Sequence, residues 1–174
     1  MAHEPFPGDP RVIVVMGVSG SGKSTIAALL AQRLGWIYED GDWLHPQSNI
    51  EKMHRGVALT DADRWPWLEA IAARIDALRR AGNRAVIACS ALKRAYRDVL
   101  IGERRDVRLV FLKGDETLVA QRLASRDGHF MPPKLLASQF ATLEEPRADE
   151  RPIVVPIAPH PGEVVESIIA KLRE

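Results

Sequence analysis

The chain has one cysteine, Cys89, in 174 residues. A single thiol excludes an internal disulfide and fits a reducing cytosol, so a cytoplasmic location is expected. Nor is there an excess of charge: 24 Lys and Arg stand against 23 Asp and Glu. That balance leaves no electrostatic footprint for nucleic acid or for an anionic membrane, and any anion site must be local. No apolar run is long enough to span a bilayer. The first ten residues contain His3, Glu4, Asp9 and three prolines but no apolar signal core. Residues 1–10 therefore read as a disordered lead-in. Internal repeats and low-complexity tracts are absent. The length fits one domain, residues 11–174, with a sizeable core.

What is present centres on Gly17-Val18-Ser19-Gly20-Ser21-Gly22-Lys23-Ser24. It matches G-x-x-x-x-G-K-[ST], the phosphate-binding P-loop. An apolar run, Val12-Ile13-Val14-Val15-Met16, precedes it, and a helix-forming run from Thr25 to Ala31 follows. The motif thus joins a strand end to a helix start, where backbone N–H groups and a helix N-terminus can meet a polyanion. Lys23 would reach the β- and γ-phosphates of a nucleotide, and Ser24 would hold Mg²⁺. Residues 17–25, Thr25 included, form the expected phosphate cradle.

Strands are expected at 36–39, 85–89, 107–112 and 153–157 after the first at 12–16. Helices are expected at 23–34, 46–55, after Asp61-Ala62-Asp63-Arg64-Trp65 with Pro66 in the first turn and Gly82 at the end, from Ser90 onward, at 116–126, 134–143 and 161–172. Pro156 cannot donate to a ladder, so the fifth strand should lie at an edge. Alternating apolar strands and amphipathic helices imply an α/β fold: a five-stranded parallel sheet with helices on both faces, three layers in all. The turn-rich segment 127–133 between two helices has the form of a small helical lid, spanning about residues 122–140.

A P-loop alone does not select a reaction. The chain lacks the Asp-x-x-Gly and Asn-Lys-x-Asp elements of a GTPase switch. It also lacks an acidic residue at the end of the third strand, which a motor ATPase would want. A small-molecule kinase remains. Asp40-Gly41-Asp42 follows the second strand, at the carboxyl end where ligands bind in such sheets. Asp42 is the candidate base for an acceptor hydroxyl, and Asp40 the candidate Mg²⁺ partner, although the two roles could be exchanged. Arg64 and Lys93 fall on the acceptor rim and suggest an anionic acceptor, such as a carboxylate that Arg64 would bind bidentately. Arg122 and Arg126, four apart on one helix face, could clamp the transferring phosphoryl group. Cys89 reads as a small buried residue, and Trp65 and Trp67 as packing.

Several blocks go further. Asp40-Gly41-Asp42-Trp43-Leu44-His45-Pro46, Asn49-Ile50-Glu51-Lys52-Met53, Asp61-Ala62-Asp63-Arg64-Trp65-Pro66-Trp67-Leu68, Ser90-Ala91-Leu92-Lys93 and His129-Phe130-Met131-Pro132 together resemble the thermoresistant-type gluconokinases. The resemblance spans residues 12–146. It implies a fold like that of nucleoside monophosphate kinases, and transfer of the ATP γ-phosphate to the 6-hydroxyl of D-gluconate in a cytoplasmic homodimer. It implies further that His45, Lys52, Ser90 and Lys93 line the gluconate site with Asp42 and Arg64. Backbone contacts from Ile157 and Ala158 would read adenine, although Pro156 stands where a polar residue is expected. Shikimate, another sugar acid or a nucleotide as acceptor is the competing reading within the same enzyme class. A non-catalytic nucleotide-binding regulator is the reading outside it.

Overall fold

The computed structural model describes residues 6–125 and 133–174. Five strands form one sheet: β1 (Val12–Met16), β2 (Ile37–Asp40), β3 (Ala85–Ala88), β4 (Val107–Lys113) and β5 (Ile153–Pro156). Their order is β2-β3-β1-β4-β5, and every neighbouring pair is parallel. Among the described residues, seven α-helices connect and flank them: α1 (Lys23–Leu34), α2 (Gln47–His54), α3 (Asp61–Arg80), α4 (Arg94–Leu100), α5 (Glu116–Ala124), α6 (Pro133–Thr142) and α7 (Pro161–Leu172).

The central strand β1 is buried along its whole length and feeds two cores in alternation. Ile13 and Val15 join Ile26, Leu30, Val165 and Ile168 from α1 and α7 on one face. Val12, Val14 and Met16 join Leu68, Ile71, Ile75 and Leu100 from α3 and α4 on the other. A strand apolar at every position is what a sheet covered on both faces requires. The expected three-layer α/β architecture is the one observed. β5 is an edge strand, as Pro156 implied, and Pro156 pairs with Lys113 at its end.

Three local expectations are corrected. Residues 6–10 are tethered at two points, while residues 1–5 of the expected lead-in lie outside the described residues: Phe6 meets Trp36 edge to face at 6.4 Å, and Asp9 accepts from Arg84 at 2.6 Å. α4 begins at Arg94 rather than Ser90, because Ala91 takes a left-handed φ of 46° that ends any helical run. The bend is held by Arg97, only 2% exposed, which donates to the carbonyls of Ala91 and Leu92 and pairs with Glu150 at 2.6 Å. Pro66 sits in the second turn of α3, not the first. A capping box between Thr60 and Asp63 starts that helix early, so Pro66 removes one internal bond. Between α5 and α6, which pack on each other, the chain lies outside the described residues.

Candidate active site

The carboxyl end of β1 runs straight into the P-loop. Gly20 and Gly22 take φ values of 81° and 94°, a region that only glycine enters freely. Gly17 is pressed against Ser21, whose Oγ would lie 2.6 Å from any added Cβ. Gly22 caps α1 with no side-chain bond, so the first N–H groups of the helix face the loop rather than a capping oxygen. Lys23 Nζ donates to the Val18 carbonyl at 3.1 Å, folding the side chain over the loop. Burial lowers its pKa, and the nearby carboxylates of Asp42 and Asp40 act against that shift. The lysine is therefore held where an anion would complete its surroundings.

β2 delivers the two carboxylates to different tasks. Asp40 accepts from Ser24 Oγ at 2.7 Å, from Tyr38 Oη at 3.1 Å and from the Asp42 backbone N–H at 2.9 Å. The last of these bonds caps the short 3₁₀ turn Gly41–Leu44. Gly41 must be glycine, because an added Cβ would lie 2.8 Å from the Ala88 carbonyl oxygen. Its own carbonyl accepts from the Trp67 indole at 2.7 Å. Asp42 projects from this turn into a cleft, with 76% of its side chain exposed there. Desolvation by the cleft walls, followed by the neighbouring Asp40 charge, raises its pKa, and Lys23 opposes them. A carboxylate with a raised pKa is a better proton acceptor.

Ser24 and Asp40 are hard oxygen donors already in contact, a pairing that suits Mg²⁺. Among the described residues no group of three or more His, Cys, Asp or Glu gathers to hold a metal by protein ligands alone. This fits an ion that keeps water and takes substrate phosphate oxygens.

Two clefts open on either side of the P-loop. One, of about 340 Å³, runs from Gly20, Gly22 and Thr25 past Arg122 to Ile157 and Pro159. Arg122 donates to the Ile157 carbonyl and more weakly, at 3.4 Å, to that of Ala158. The Ile157 N–H donates to Lys113 at 3.0 Å. Both backbone groups of Ile157 are thus engaged within the protein. Arg126 and the His129-Phe130-Met131-Pro132 block lie outside the described residues.

The second cleft, of about 190 Å³, brings Lys23, Asp42, His45, Arg64 and Ser90 together. Arg64 donates to Tyr96 Oη at 3.0 Å and, among the described residues, pairs with no carboxylate. His45 is stacked on Trp67, with ring centroids 4.1 Å apart and planes at 13°. Its pKa is pushed down to about 4, first by burial and then by the Arg64 charge.

Two expected lining residues stand elsewhere. Lys52 is salt-bridged to Asp63 at 2.7 Å and ties α2 to the start of α3. Lys93 bonds Asp61 at 3.1 Å, and Asp61 in turn accepts from Tyr96 Oη, so the lysine supports the ring that holds Arg64. Conversely, the cleft includes Ser138, Gln139 and Thr142 of α6, which carried no expected role, and Trp67 of α3, which was expected only to pack. Gln139 Oε1 accepts from the P-loop N–H of Ser19 at 2.6 Å. No spacing signal marks these positions, since α6 reaches the cleft only through the tertiary fold.

Comparison with known proteins gives a consistent result. Residues 12–146 match the family model described as an AAA domain. The gluconokinase of Gluconobacter oxydans (strain 621H) is 50% identical over 168 residues, covering 96% of this chain and 94% of that protein. The thermoresistant gluconokinase of Escherichia coli (strain K12) is 44% identical, with 95% of each chain covered. The crystal structure of a gluconokinase from Sinorhizobium meliloti 1021 superposes with a TM-score of 0.87 at 45% identity, covering 97% of this chain and 93% of that one.

Proposed function

The chain belongs to the gluconokinase family, and from that premise we propose that it transfers the γ-phosphoryl group of ATP to D-gluconate, giving 6-phospho-D-gluconate and ADP. The observation that carries this reading is the second cleft. It sets the Asp42 carboxylate, a P-loop lysine and an arginine that, among the described residues, pairs with no carboxylate, around one space.

In this reading the nucleotide lies along the first cleft, with its phosphates on the P-loop amides 17–25 and Lys23 at the transferring group. Arg122 forms the wall of that cleft beside the phosphates. Arg64 receives the gluconate carboxylate, which fits its planar fork. The gluconate 6-hydroxyl oxygen attacks the γ-phosphorus, its proton passes to Asp42, and the bond to the β-phosphate oxygen breaks as ADP leaves. The three bonds that Asp40 accepts favour it as the metal-side carboxylate, with Asp42 as the base. Ser24 and Asp40 would hold Mg²⁺, which when bound would neutralise charge on the phosphates. A cytoplasmic homodimer belongs to the same reading and rests on the family resemblance. No helix among the described residues is long and apolar enough to cross a membrane.

Steady-state ADP release with MgATP tests the proposal. Turnover should depend on D-gluconate and be negligible with shikimate. Equal rates with the two acids would sink the acceptor assignment.

A further inference from the structure

Asn49 is buried, 2% exposed, on α2 beside the acceptor cleft, and no role was expected of it. Its Nδ2 donates to the backbone carbonyl of Asp63 at 2.9 Å. A carbonyl oxygen only accepts, so this bond fixes which end of the amide faces it. The same nitrogen lies 3.2 Å from His45 Nδ1. An amide nitrogen carries two hydrogens and no available lone pair, so one hydrogen serves each partner. Nδ1 of His45 must then be the bare, accepting nitrogen.

The ring's charge state follows from its surroundings. The His45 side chain is 3% exposed and lies flat on Trp67. Arg64 from α3 disfavours a second positive charge, and Asp40 and Asp42 on the β2 side pull the other way. Burial and Arg64 prevail, and the ring is neutral at physiological pH. A neutral ring with a bare Nδ1 carries its one proton on Nε2. That nitrogen stands 3.8 Å from Asp42 Oδ1, too far for a direct bond. A hydroxyl oxygen can sit beside both, accepting from Nε2–H while donating its proton to Asp42.

We propose that Asn49 is a positioning residue that locks His45 as the Nε2–H tautomer, making the ring a neutral hydrogen-bond donor to the acceptor hydroxyl held by Asp42. The inference rests on the reading of this cleft as the gluconate site. With the opposite tautomer, Nε2 would be a second acceptor and would compete with Asp42 for the hydroxyl proton. With an imidazolium, the added charge would weaken the carboxylate as a base. Only the donor tautomer leaves the proton a single destination and turns a hydroxyl lone pair away from Asp42.

The test reads the ring directly. Long-range ¹H–¹⁵N correlation of the ligand-free protein at neutral pH should find Nε2 protonated and Nδ1 bare. A ring protonated on Nδ1 overturns the inference. Asn49→Asp replaces the donor with an acceptor and should move the proton to Nδ1 or charge the ring. An unchanged tautomer in that variant removes Asn49 as the lock. Kinetics provide a second arm that does not require Asn49 to be altered. His45→Gln keeps a neutral donor near the Nε2 position, whereas His45→Phe keeps only the stack. The Phe variant should lose about tenfold or more in kcat/KM for gluconate relative to the Gln variant. Equal values would overturn the donor role. Failure of the wild-type protein to use gluconate would overturn the functional reading, while the tautomer measurement would still report on the lock.

Discussion

Arg64 and Lys52 are both cations near the acceptor, and their partners separate them. Lys52 already has a carboxylate, Asp63, at 2.7 Å, whereas Arg64 has a phenol and an open cleft. The planar fork of arginine binds a carboxylate through two parallel bonds, and a lysine in its place keeps the charge but loses the second bond. Arg64→Lys should therefore raise the gluconate KM about tenfold, the equivalent of ~1.4 kcal/mol, with a smaller change in kcat. Steady-state kinetics at varied gluconate and saturating ATP measures the split. An unmoved KM would remove Arg64 as the carboxylate partner. The contrast was not visible in the chain itself. Arg64 and Lys52 look alike as residues, and only Asp63, placed by the capping box of α3, decides which cation is spent.

At the scale of elements, the order of strands and helices was legible because each carries its own periodicity and its own stop. Gly35 is a case in point. It follows α1 at φ 70°, and its N–H closes onto Ala31 and Gln32. Nothing lies within 4 Å of a Cβ added there, so the cost of a side chain is conformational alone. Gly35→Ala should destabilise the fold by about 1 kcal/mol through the left-handed φ, with catalysis unchanged. Chemical denaturation checks this, and an equal midpoint would mean the turn relaxes. Less legible were the elements set by distant partners. Ser90-Ala91-Leu92-Lys93 reads as a helix start, yet the buried Arg97–Glu150 pair and its bonds to Ala91 and Leu92 hold it as a bend. Residues 6–10 read as a loose leader, yet Phe6 packs on Trp36 and Asp9 pairs with Arg84. The P-loop, Asp40 and Asp42 were readable as a site because they sit at strand ends. Gln139 and Trp67 were not, since both enter the cleft from helices whose sequence gives only an apolar or polar face.

For the whole molecule, the ionisable groups predict how the fold meets acid. His45 has a folded pKa of about 4, below the ordinary 6.5, so the unfolded chain binds the extra proton first. Its contribution to stability is complete above pH 6.5 and is lost as the pH falls toward 4. The paired carboxylates act lower. Asp63 is held down to about 2, chiefly by Lys52, and Asp76 is also lowered, chiefly by Arg104. Their contributions are present above the ordinary value of 3.8 and are lost as the pH falls below it. Asp42 works in the opposite sense, since its raised pKa favours the folded state as protons are added. It is one group against several. Thermal melts across pH should therefore show two descending stages, one between 6.5 and 4 and a second below about 4. His45→Gln removes the titrating ring while leaving both carboxylate pairs intact, so it should flatten the upper stage and leave the lower one in place. If the upper stage survives in that variant, the acid sensitivity belongs to another group, and the neutral imidazole facing Asp42 is not what neutral pH protects.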